Sequence, residues 1–144
     1  MTTPTTIAGG QPRRLGRSVF AVFLGFVTVV VLSLGTDQIL HVLKVYPPWG
    51  QPMYQPGLNL LALSYRIVYT VLGMYITAKY APYSPMRHVW AAGIIGLVLA
   101  IVGVIAAIPL NLGPIWYPIA IALTALPCAW LGGVLYLARH PERK

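Results

Sequence analysis

The chain has 144 residues, of which 58% are apolar and 8% charged, against roughly 45–50% and about 25% in soluble domains. Ten Lys and Arg face two acids, Asp37 and Glu142, giving a formal charge of +8. So little charge excludes an ordinary soluble domain, and so much apolar surface excludes a disordered chain. The composition is that of an integral membrane protein.

Residues 1–16 are small, polar and Pro/Gly-containing, and read as a flexible tail. A transmembrane domain follows over residues 17–139, with spans at about 18–43, 58–78, 89–110 and 115–138, each long enough for a hydrocarbon core that takes about 20 helical residues. Residues 140–144 form a short basic tail. Backbone groups find no water in lipid, and the runs lack a barrel's alternation, so the spans are helices. The fold class is all-α, a polytopic four-transmembrane-helix bundle. The first span is a candidate signal peptide, with Arg13, Arg14 and Arg17 ahead of it. Its unbroken apolar stretch from Val19 to Gly35 is 17 residues, beyond a usual h-region of about 7–15, and favours an uncleaved span.

The connection from Lys44 to Gly57 carries four prolines and three aromatics in fourteen residues. Proline fixes φ and removes a donor, so this segment reads as an ordered cap on the membrane surface. The second span carries Arg66 and is the least apolar. The third and fourth spans carry no charge. Gly96, Ala100, Gly103 and Ala107 repeat at one-turn spacings on the third, as do Ala122, Ala125, Ala129 and Gly132 on the fourth. Such stripes allow close helix packing, within the bundle or across a homodimer. Pro127 is expected to kink the fourth helix, freeing a carbonyl near Leu123.

Orientation follows from the basic residues. Arg13, Arg14, Arg17, Lys79, Arg87, Arg139, Arg143 and Lys144 fall on one side, Lys44 on the other and Arg66 within a span. This positive-inside bias places both termini in the cytoplasm. Tyr46, Trp49, Tyr54, Trp116 and Tyr117 then mark the outer interface, and Tyr80, Tyr83 and Trp90 the inner one. His88 and His140, beside Arg87 and Arg139, read as interfacial residues facing anionic lipid. The basic residues form no stripe with interleaved aromatics, which argues against a nucleic-acid partner.

The candidate chemistry gathers around Asp37, the sole acid in the spans. Ser33, Asp37, His41 and Lys44 share one face of the first helix. Asn59, Ala62, Arg66, Tyr69, Gly73 and Thr77 form a small or polar stripe on the second, with Tyr65 beside it. At 1.5 Å per residue, Asp37 and Arg66 lie about 9 and 12 Å below the outer boundary, so antiparallel helices bring them to similar depth. The cluster of Ser33, Asp37, His41, Arg66 and Tyr69 either binds a ligand or proton or is built around a structural ion pair. No catalytic residue, metal site or cofactor is expected. A second membrane acid, a Gly-rich phosphate loop and a Cys pair are all missing from the sequence. Cys128, alone in an apolar run, reads as a packing thiol.

The strings TDQILHVLKVYPPWGQPM, YRIVYTVLGMYITAKYAPYSPMRH and WYPIAIALTALPCAWLGG resemble a group of small four-span bacterial inner-membrane proteins. The likeness covers residues 36 to 133. It implies the four-span fold and a bacterial inner membrane, and no activity, cofactor or partner. Small multidrug-resistance transporters share the four-helix size but carry an acid in the middle of the first helix, where Phe23 to Val30 has none. The expected function is therefore a non-enzymatic accessory or scaffold component packing against itself or a larger membrane partner. The alternative is a small oligomeric solute or proton-linked transporter using the Asp37 cluster. The lipid bilayer is the one partner common to both.

Overall fold

The computed structural model describes residues 11–143. Four helices, α1 (Gln11–Val42), α2 (Pro56–Tyr80), α3 (Pro85–Leu110) and α4 (Trp116–Arg139), precede a single 3₁₀ turn at Pro141–Arg143. All four are long and apolar enough to cross a membrane. The first ten residues of the expected tail lie outside the described residues, and Gln11 to Gly16 already belong to α1. Pro12 does not interrupt this start, because a first-turn proline withholds an N–H that has no intrahelical acceptor.

Prolines also set the next two starts. Pro56 and Pro85 occupy the first positions of α2 and α3, earlier than the apolar runs suggest. At the end of α1 the chain turns in a Schellman motif. Lys44 N–H donates to the His41 carbonyl (3.0 Å) and Val45 N–H to that of Leu40 (2.9 Å), with Lys44 left-handed at φ 58°. Asn111, at φ 47°, ends α3 in the same hand. Helix α4 runs on through Pro127.

α2 lies between α1 and α4, α3 packs on α4, and α1 and α3 barely touch. Both termini sit at one end of the bundle. There Phe20 of α1 meets Tyr80 of α2 edge-on at 6.4 Å, and the Arg143 guanidinium donates to the Ala81 carbonyl (2.7 Å). The 140–143 segment is thus docked rather than free. The buried core sits at this end too, built from Met74 and Ala78 of α2, Val89 and Ala92 of α3, and Ala129 and Tyr136 of α4.

Within the bundle, the stripe on α3 is not where the helices approach most closely. Gly103 has nothing within 4 Å of an added Cβ, and Gly96 would meet only the Phe26 ring, at 3.8 Å. Ala100 and Ala107 border cavities rather than a neighbouring backbone. α3 packs tightly only through its first third, where Val89, Ala92 and Gly93 are buried, and from Ile94 on most of its large apolar side chains are exposed. The close approaches lie elsewhere. A Cβ on Gly132 of α4 would come within 2.5 Å of the Val71 carbonyl and 2.7 Å of the Met74 Cβ, and one on Gly73 within 2.7 Å of the Gly25 carbonyl.

Gly132→Ala should therefore lower stability by about 1–3 kcal/mol, because backbone cannot yield to the added methyl. Gly103→Ala, at an open site, should stay within about 0.5 kcal/mol. Thermal unfolding of the two variants in the same detergent checks the contrast, and an equal loss in both would contradict this packing.

Candidate functional site

Asp37 faces α2 from one and a half turns before the end of α1, and is 5% exposed. Both carboxylate oxygens are engaged. Oδ2 accepts from Arg66 Nη2 at 2.5 Å, and Oδ1 accepts from the Tyr65 hydroxyl. The ion pair expected from equal depth is therefore present, and it comes with a phenol beside it. Successive residues of α2 supply the two donors, so a single helix turn brackets the carboxylate.

The polar chain continues outward. The Tyr46 hydroxyl lies 3.3 Å from that of Tyr65 and 3.4 Å from the Leu58 carbonyl. Tyr65 has one proton, given to Asp37, so the single Tyr46 proton is shared between the Leu58 carbonyl and the Tyr65 oxygen. Burial pushes the Tyr46 phenol above its ordinary value, with the Tyr65 hydrogen bond opposing, and it remains a donor across the physiological range. Tyr46, in the loop that follows α1, is 5% exposed and held against the helices by these contacts.

The other expected members are distributed differently. Tyr69 bonds Thr36 at 2.8 Å. Because Thr36 donates to the Leu32 carbonyl (2.8 Å), Tyr69 is the donor in that contact. Ser33 is buried one turn before Asp37 and forms no hydrogen bond with it among the described residues. His41 does not reach the carboxylate. Its Nδ1 lies 2.7 Å from the Asp37 backbone carbonyl, and its ring stacks on Trp49 at 4.0 Å, almost parallel. A carbonyl only accepts, so Nδ1 carries the hydrogen. His41 belongs to the loop, not to the pair.

The loop is ordered over this cluster. Trp49 Nε1 donates to Gln38 (3.2 Å), Met53 N–H to the Leu112 carbonyl (2.7 Å), and the Tyr54 hydroxyl to the Asn111 carbonyl (2.8 Å). Buried Asn59 ties the start of α2 to the same segment, donating to the Met53 and Gln55 carbonyls (3.0 and 2.9 Å). Between loop and helix ends lies a cavity of about 470 Å³ bordered by His41, Tyr46, Met53 and Tyr54. On the other side, Arg66 borders a cavity of about 370 Å³ between all four helices, with Thr70 and Thr124 as its hydroxyls. Arg66 Nε is buried there without a partner.

Among the described residues, no three His, Cys, Asp or Glu side chains converge. What the arrangement can do chemically is hold one carboxylate, one guanidinium and two phenols in register. Tyr65 was legible only as a neighbour of Arg66. Thr36 carried no signal at all, since a lone threonine in an apolar helix ordinarily bonds its own backbone.

Asp37→Asn should leave Arg66 without its counter-ion. The cost should be about 2–3 kcal/mol, below the 3–5 kcal/mol of a fully buried pair, because the Arg66 side chain is 32% exposed. Asp37→Asn combined with Arg66→Gln should recover part of that loss, and strict additivity of the two single variants in thermal unfolding would contradict the pairing. No family model, no curated protein and no solved structure matches this chain.

Proposed function

We propose that this chain is a non-enzymatic accessory or scaffold component of a bacterial inner membrane, with both termini cytoplasmic, packing against itself or a larger membrane partner. The observation that supports it is the saturation of Asp37. The one acid within the helices spends both oxygens on Arg66 and Tyr65, which leaves a register-fixing pair rather than an open acceptor. A second reading, a small oligomeric solute or proton-linked transporter, draws on one specific feature. The cavity beneath Arg66, lined also by Thr70 and Thr124, would suit a small solute carrying polar groups.

Purification at native expression in mild detergent, followed by mass measurement of the intact complex, separates the two. The scaffold reading expects a stoichiometric foreign subunit or a self-assembly that survives Asp37→Asn. A homo-oligomer whose assembly is intact in Asp37→Asn but whose cellular phenotype is lost would favour transport. Orientation is tested separately: the thiol of Gly50→Cys, in a background lacking Cys128, should react with an impermeant reagent in intact spheroplasts. Labelling only after lysis would reverse the orientation.

A further inference from the structure

α1 and α3 touch at two places and part between them. At the termini end, His88 Nε2 of α3 lies 2.9 Å from the Ser18 hydroxyl of α1. His88 is only 7% exposed, so it does not face lipid as expected: it is a buried tie between helices. Eight residues further along α1, Phe26 leans on Gly96. The separation is about 12 Å along the helix at 1.5 Å per residue, close to half of a hydrocarbon core about 30 Å thick. Between the two contacts runs a groove of about 590 Å³, within the size range of small-molecule sites.

The groove is polar at one end and apolar along the rest. Ser18, Tyr83, Arg87 and His88 border its mouth, and Phe23 and Phe26 its length. Arg14 precedes Ser18 by one turn on the same face of α1, where the Ser18 hydroxyl bonds its carbonyl at 2.9 Å. Arg87 borders the groove and is exposed, and Arg14, also exposed, adds a second cation one turn before Ser18 on α1. Neither helix has an acid in its first turn, and α3 begins at Pro85, which turns the positive end of its dipole toward the same place.

We propose that this groove seats one anionic phospholipid of the leaflet at the termini end of the bundle. Its phosphate lies between Arg87 and Arg14, and one acyl chain runs past Phe23 to Phe26. The match is in charge, polarity order and depth together. A basic pocket between transmembrane helices at the interface is a recurrent headgroup site, and the groove keeps the polarity order of the lipid it would replace. The proposal does not depend on the scaffold or the transporter reading.

The test uses the full chain in detergent, with phosphatidylglycerol and phosphatidylcholine of identical acyl chains as probes and bound lipid read by intact mass. The wild type should retain one phosphatidylglycerol in preference to phosphatidylcholine. Arg87→Gln should weaken phosphatidylglycerol retention by about fivefold, the share one basic residue contributes near an anionic surface, and leave phosphatidylcholine unchanged. Arg139→Gln removes a cation from the same end but outside the groove, and should change nothing. Ala91→Trp, at an exposed position bordering the groove, should abolish retention of either lipid while the thermal unfolding of both exposed-site variants stays at the wild-type value. Equal weakening by Arg139→Gln would reduce the effect to general surface charge and overturn the proposal. So would retention undiminished in Ala91→Trp, or displacement of the lipid by excess glycerol phosphate, which carries the headgroup charge without the chains.

Discussion

The bond between Asp37 and Arg66 is the contact on which the far end of this bundle hangs. Each charge alone would cost about 2.5–3.5 kcal/mol at mid-bilayer on insertion scales, less toward an interface. Joined at 2.5 Å, they offset much of that cost and forbid α1 and α2 from sliding by a turn. Tyr65 supplies the second donor, and Tyr46 follows it inward. The loop is therefore tied down onto the helix ends. Met53 and Tyr54 then extend the tie to the α3–α4 turn. One ion pair is in this way linked through Tyr65, Tyr46 and the loop to both hairpins.

The opposite end is held by different physics. Lipid tails are as apolar as leucine, so helices there associate through close contact rather than transfer from water. Gly25, Gly73 and Gly132 let backbones approach where any Cβ would collide. Met74, Val89 and Tyr136 fill the space so created. The exception is the α1–α3 boundary, joined by the Ser18–His88 hydrogen bond and by one phenylalanine, with a groove between them.

The two ends also differ in how freely their surfaces can change. The second half of α3 turns Val98, Ile101, Val102 and Ile105 outward, where any apolar side chain meets lipid equally well. The cluster around Asp37 has no such latitude. Each of its hydroxyls has a single proton, and the Tyr65 proton is committed to Asp37, so a change at one member leaves its neighbour without a partner.

Much of this architecture is legible in the chain alone, because the bilayer leaves few choices. Apolar length gives four helices, and equal depth of two lone opposite charges gives their pairing. The helix starts at Pro56 and Pro85 lie outside the apolar runs, so hydropathy placed them late although proline marks them. What the chain could not reveal depends on which faces meet. Gly103 and Gly132 look alike as small residues in apolar helices; one is open and the other presses on the α2 backbone, a difference made entirely by helix crossing. His41 and Asp37 share a face by periodicity, yet a Trp brought over by the loop claims the ring. His88 beside Arg87 reads as lipid-facing until α1 is laid across it with Ser18 opposite. Periodicity records which side chains share a face, and the partner of that face is a property of the packed bundle.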